Sequence, residues 1–285
     1  MAINDRERTI ADWHARQGND WIDQMLLGGM LKCAEYGYRM IFELVDTHSD
    51  HVERELGATI AALQPDGVIL TPPHSENAQI TEMLERHGVP FARIGSTAPG
   101  AGYAMTMGDE GSARLAAEHL IELGHQRIGF IGGSDEYTIS AWRQQGWAQA
   151  MAAAGLDCEG LCAPGDFSYA SGVRAAKALL DAAVPPTAII ACNDQMALAA
   201  LDTAVARGLN VPDDLSLISF DNSPVTRFTI PQLTAVDQPI AATFAMAVEL
   251  LIGTRGETGP DAPVVVPGTL VIRGSTAPPR GDARG

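Results

Sequence analysis

Short apolar runs alternate with longer amphipathic stretches along most of this chain, a rhythm that predicts strands and helices in turn. Tyr38–Asp46 (YRMIFELVD) reads as a strand and Asp50–Gln64 as the helix after it. GVILT at Gly67–Thr71 is a short buried strand, Glu76–His87 a helix and Val89–Gly95 the next strand. In Asp109–Leu123 the residues Leu115, Ala116, Leu120 and Leu123 recur at helical spacing, and Gly124 is placed to end that helix. The alternation resumes with strand Arg127–Ile131, helix Ser140–Ala154 stopped by Gly155, and helix Tyr169–Ala183. Strand Ala188–Cys192, helix Asp194–Arg207 stopped by Gly208, and strand Leu215–Phe220 follow. Runs this apolar, separated by helices, indicate parallel strands covered on both faces. The expected class is α/β with doubly wound parallel sheets.

Beyond Asp221 the rhythm changes. Asn222–Pro231 is a proline-containing stretch, Leu233–Asp237 a strand, and a helix runs from about Ile240 to Ile252. TRGETGPDAP at Thr254–Pro263 has turn composition and reads as an exposed loop. Val264–Arg273 is expected to be a single last strand, and Ser275–Gly285 a frayed tail. Near the start, Ile10–Asp20 makes a poor strand, because Asp12, His14, Arg16 and Gln17 crowd together.

A length of 285 residues allows one large or two medium globular units. No apolar run reaches the roughly 18 residues of a membrane span, and the charged N-terminus lacks the apolar core of a secretory signal. Cys33, Cys158, Cys162 and Cys192 come without the partners of a zinc site and read as reduced thiols of a cytoplasmic protein. A formal net charge of −16 offers no basic face for nucleic acid.

In parallel α/β sheets ligands bind beyond the carboxyl ends of strands, where loops and helix N-termini converge. The polar residues there are Thr71, Gly132–Tyr137, Asn193 with Asp194, and Asp221 with Asn222; Arg143 begins a helix nearby and Phe167 lies in a loop. The set suits a polyol. Asp221 accepts hydroxyl hydrogens, Asn193 donates and accepts, and Arg143 offers a fork of donors. Phe167, Phe220 or Trp142 could cover the apolar face of a ring. Asp194 and Asp109 could equally be helix N-caps, Phe220 and Trp147 core residues, and Arg143 a solvated side chain.

Four segments carry a resemblance to the lactose-repressor and galactose-repressor family of bacterial transcription regulators. They are GSARLAAEHLIELGHQRIGFIGG at Gly111–Gly133, SAWRQQGW at Ser140–Trp147, TAIIACNDQMAL at Thr187–Leu198, and LSLISFDN with PQLTAVDQP at Leu215–Asn222 and Pro231–Pro239. The resemblance, spanning about Trp21 to Thr276, implies a periplasmic-binding-protein-like core of two lobes joined by three crossovers near Gly124, Val236 and Pro263. One lobe would be residues 1–123 plus 237–262, for dimerisation and half of an effector cleft; the other would be 124–236 plus 263–285. It implies effector contacts from Arg143, Asn193 and Asp221, with Thr71, Asp109, Phe167 and Gln238 as secondary contacts. It also implies a homodimer whose hinge responds to a small effector, a sugar in preference to a purine, and meets operator DNA through a helix-turn-helix.

Two departures stand out. Before Trp21 there is no room for a recognition helix, although TIADWHARQG at Thr9–Gly18 is faintly similar to the start of that module's first helix. The first strand of the core is missing or degenerate on this reading, which would leave a sheet edge exposed. A periplasmic sugar-binding protein of a transporter is the alternative. An enzyme fits poorly, with no catalytic set, cofactor or metal implied: Gly129, Gly132 and Gly133 have the wrong spacing for a dinucleotide loop, and no nucleophile elbow, phosphate loop or HExxH pair occurs. His119 and His125 read as polar decoration of a helix end.

Overall fold

A computed structural model describes residues 1–16, 19–253 and 262–280. The chain forms two compact units, Met1–Met107 with Pro239–Val266 and Gly108–Gln238 with Pro267–Gly285.

The first unit opens with β1 (Ala2–Asp5), α1 (Arg6–Ala15) and α2 (Asp20–Glu35). It continues through β2 (Phe42–Val45), α3 (Val52–Leu63), β3 (Val68–Leu70), α4 (Ala78–Arg86), β4 (Phe91–Ile94) and β5 (Tyr103–Thr106). The second unit contains α5 (Asp109–Glu122), β6 (Ile128–Ile131), α6 (Thr138–Ala153), β7 (Cys162–Ala163), α7 (Tyr169–Leu180), β8 (Ala188–Ala191), α8 (Asp194–Ala206), β9 (Ser216–Asp221) and β10 (Thr234–Asp237). The chain then returns to complete the first unit with α9 (Ile240–Gly253) and β11 (Val264–Val265), and the second with β12 (Thr269–Val271).

Each unit is built on one six-stranded sheet, in the order β11-β5-β4-β3-β1-β2 and β12-β10-β9-β8-β6-β7. Every pairing is parallel except the edge pair β10–β12. The near-continuous apolar strands have the physical reason anticipated: helices cover both faces. In the first unit, Ile22 and Met25 of α2 meet Phe244 and Leu251 of α9 over one face, and Leu56, Ile60 and Leu84 of α3 and α4 pack over the other. In the second, Phe130 stacks on Trp147 at 5.4 Å, and the indole nitrogen donates to the Ile128 carbonyl. Trp147 is thus a core residue.

Several expectations are corrected. The first strand is neither missing nor degenerate: it is Ala2–Asp5, paired with both β2 and β3. Its four residues are all buried inside the sheet, so the edge predicted to be exposed does not exist there. The polar stretch after it forms α1, capped by Asp5 accepting from the Arg8 amide. Helix α5 belongs with the second unit, not the first, because its small residues Ala113, Ala116 and Ala117 join that unit's core while Leu115 faces solvent. The chain passes between units at 107/108, 238/239 and 266/267. Val264–Arg273 is not one strand: β11 pairs with β5, and three residues later β12 pairs with β10.

Residues 275–280 are not frayed. Ser275 is fully buried, donating to the Leu217 carbonyl and accepting from the Thr234 amide. His125 is buried against the same segment, its Nε2 donating to the Ala277 carbonyl at 2.9 Å and its Nδ1 lying 2.8 Å from Thr187 Oγ1. His119 Nε2 lies 3.1 Å from Thr276 Oγ1, so both histidines fasten the C-terminal segment rather than decorate a helix end. The loop expected at Thr254–Pro263 lies, except for its last two residues, outside the described residues, as does the tail beyond Arg280.

Candidate functional site

The polar residues at the carboxyl ends of the second unit's strands form a connected cluster around Arg143. This side chain projects from the second turn of α6 and is 3 % exposed. Its Nε and Nη2 both point to Asp109 Oδ1, at 2.9 and 2.8 Å. Nη1 donates to the Cys192 carbonyl at the end of β8 and lies 4.0 Å from Asp221 Oδ1. The Phe220 ring lies 4.6 Å from the guanidinium carbon, so Phe220 is a buried support under Arg143 rather than a wall for ligand. Although burial alone would weaken it, the guanidinium's hold on its proton is strengthened by Asp109 and then Asp221.

This geometry depends on Gly146, one turn after Arg143. A Cβ there would sit 2.0 Å from the Glu110 carbonyl oxygen, so only glycine lets α6 approach α5 closely enough for Arg143 to reach Asp109. Asp109 is the first residue of α5, and Gly108 rather than Asp109 holds the cap position. Gln238 Nε2 adds a third donor to Asp109 Oδ1 at 3.3 Å. Asp109 Oδ2 and Gln238 Oε1 are buried and find no hydrogen-bond partner among the described residues. Orphaned buried acceptors are costly, and their natural complement is a donor from a ligand or an ordered water.

Asn193 caps α8: its Oδ1 accepts from the Met196 amide at 3.0 Å and its Nδ2 donates to the Phe167 carbonyl at 2.8 Å. Phe167 is held in a left-handed conformation (φ 67°) and packs edge-on against Tyr137 at 5.5 Å. Close to this pair lies the buried Ser140, whose hydroxyl also finds no partner among the described residues.

Asp221 ends β9 and, at 21 % exposure, is the carboxylate of the cluster most open to solvent. It and Asn222 both adopt positive φ, 88° and 58°, a strained arrangement for residues with side chains. Asp194 fastens this turn, with Ser219 donating to Oδ1 and the Ser223 amide to Oδ2 at 2.6 Å. Burial, followed by the charge of Asp221, pushes the Asp194 carboxyl well above its ordinary range. On the other side Arg273 donates to Asn222 Oδ1 at 2.6 Å, and Asn222 donates to Asp237 at 2.8 Å.

Six of the seven residues singled out in the sequence therefore lie in one unit. Arg143, Asp109, Asp221 and Gln238 form one continuous network, and the Arg143–Cys192 contact adjoins the Asn193–Phe167 pair. Thr71 belongs to the first unit, where it is buried and bonded to the Ile3 carbonyl and Asn4 Oδ1. Sequence reasoning missed the supporting roles of Asp194 and Arg273. An apolar run ending in Ser-Phe-Asp-Asn-Ser, with a second carboxylate one strand away, was the available signal.

The comparisons bear directly on this arrangement. The family model of the periplasmic binding protein-like domain matches residues 117–276. The HTH-type transcriptional regulator CelR of Thermobifida fusca is 32 % identical over 257 residues, covering 88 % of this chain and 74 % of CelR. A solved transcriptional regulator CelR–cellobiose complex superimposes with a TM-score of 0.84 at 31 % identity, covering 96 % of this chain and 83 % of that one. A LacI family transcriptional regulator from Mycobacterium smegmatis gives 0.80 at 26 % identity, covering 98 % of both chains. These relatives are named as regulators and not as enzymes, and with the fold and the strand-end cluster they show that the chain belongs to the LacI family of transcriptional regulators, as its effector-binding core.

Proposed function

We propose that this core takes a small polar effector, a sugar before a purine, at the carboxyl ends of the second unit's strands. Arg143, Asp109, Asn193, Asp221 and Gln238 supply the polar contacts and Phe167 an apolar one. The observation that carries the reading is the pair of buried acceptors without donors among the described residues, Asp109 Oδ2 and Gln238 Oε1, in a network already centred on one arginine. The solved relative in complex with cellobiose supports a sugar as the first candidate.

Occupancy acts on regulation by shifting a two-state conformational equilibrium, and the available shift equals the effector's difference in affinity for the two states. The reading places the protein in the cytoplasm as a homodimer, with operator contact left to a helix-turn-helix such as the one that names its HTH-type relatives. Exposed apolar side chains support self-association: Phe228 and Ile230 on the second unit, and Leu27, Met30 and Leu31 on α2 of the first.

The deciding experiment is a thermal-shift screen of the wild type and Asp221→Ala against neutral sugars and nucleobases. The wild type should gain several degrees from its effector, and the variant should melt at a similar temperature without ligand but gain nothing on adding it. A variant that keeps the full gain would remove Asp221 from the site.

A further inference from the structure

The charges and donors of the strand-end cluster carry an inference about what the effector must not be. Two carboxylates, Asp109 and Asp221, lie beside a single Arg143, and the buried Asp194 lies beyond Asp221. Three of that arginine's five N–H donors are engaged, which leaves single donors for hydroxyls but no intact bidentate edge for an oxyanion. Two of its nitrogens are spent on Asp109 and the third on the Cys192 carbonyl, with Asp221 beyond it, and Phe220 packs against the guanidinium. Bidentate recognition of phosphate or carboxylate needs a guanidinium edge with two parallel donors to spare.

Arg273, a cation bonded to the turn, is also engaged, donating to Asn222, Thr226 and the Leu233 carbonyl. What the cluster holds in excess is acceptors. Asp109 Oδ2 and Gln238 Oε1 are acceptors that find no donor among the described residues, and the carboxylate most open to solvent is Asp221. An anionic group brings only further acceptors and a like charge, whereas a hydroxyl brings a donor without charge.

We infer that this site selects an uncharged, hydroxyl-bearing effector and rejects its phosphorylated or carboxylated counterpart. The inference rests on the proposed effector reading and sharpens it: the sensed solute is a free sugar or nucleoside, before a kinase has acted on it. A unit negative charge placed about 5 Å from Asp221, in the intermediate dielectric of a partly open site, weakens binding on the order of a hundredfold.

Matched pairs test this by titration calorimetry and thermal shift on the intact chain: cellobiose against cellobiose 6-phosphate, glucose against glucuronate, and inosine against its 5′-monophosphate. For whichever pair binds, the neutral member should bind on the order of a hundredfold more tightly, and Asp221→Asn should narrow that ratio by relieving the repulsion. An anionic probe that binds as tightly as its neutral partner overturns the inference while leaving the effector reading in place. If no member of any pair binds, the effector reading fails and the inference falls with it.

Discussion

Replacing Gly146 by alanine tests the packing on which the whole cluster rests. The added methyl would lie 2.0 Å from the Glu110 carbonyl oxygen and 3.0 Å from the Arg114 amide nitrogen, both backbone atoms of α5. Neither can swing aside as a flexible side chain could, so α6 must move away by more than an ångström. Overpacking of this kind costs about 1–3 kcal/mol. The movement also draws Arg143 off Asp109, whose contacts of 2.8 and 2.9 Å leave no slack; losing one partner of such a buried pair outright costs about 3–5 kcal/mol. A partial loss added to the overpacking gives about 2–4 kcal/mol, or a fall of roughly 5–15 °C in melting temperature for a chain of this size. The control is Gly111→Ala on the opposing helix, where nothing lies within 4 Å of the added carbon and alanine should gain about 0.5–1 kcal/mol. Scanning calorimetry of the two variants reads the difference directly. If Gly146→Ala melts within about 2 °C of the parent, the close helix crossing does not hold the Arg143–Asp109 pair in place.

Arg143→Met, which keeps the volume but leaves Asp109 buried and uncompensated, should cost about 3–5 kcal/mol in chemical denaturation, and Asp109→Asn in the same background should restore part of it. Stability should fall as pH drops below about 6.5, because burial lowers the pKa values of His74, His119 and His125, so the folded chain binds fewer protons than the unfolded one there. Asp194 acts with the opposite sign, since its raised pKa lets the folded chain keep a proton that the unfolded chain has released. Asp194→Asn should therefore steepen the loss of melting temperature between pH 7.5 and 5.5, and an unchanged slope would contradict this assignment. Sedimentation at micromolar concentration should show a dimer that Phe228→Asp with Ile230→Asp converts to monomer, given how exposed both side chains are. With a net charge of −16, the chain by itself should leave operator DNA unretarded at physiological salt.

The two sheets were legible because buried parallel strands leave dense apolar runs such as AIIAC and LISF, which few other structures need. Asp221 and Asn193 could be placed at strand ends because they follow those runs directly. The opening strand was not, since AIND at Ala2–Asp5 is short and half polar, and only its pairing on both sides shows why it is buried. Likewise, Val264–Arg273 has the composition of one strand, and nothing local reveals that Val265 and Thr269 pair in different sheets. The position of Arg143 early in its helix was legible, but its setting was not. A fork of donors in a sequence does not disclose that a neighbouring carboxylate has already claimed it. Tertiary contacts decide such matters, and periodicity carries no record of them.

Because α9, β11 and β12 all come from the last fifty residues, the order of synthesis constrains assembly. The first unit begins at the N-terminus yet cannot cover one face of its sheet until α9 arrives, after almost all of the second unit has been made. Val264–Val271 then supplies an edge strand to each sheet within a few residues, and Ser275 and Ala277 fasten the second unit. A nascent chain stalled or clipped before this point exposes two unfinished sheet edges at once. The C-terminal segment is thus a late checkpoint for both halves, and loss of twenty residues there should be less tolerable than loss of an equal length from any surface loop.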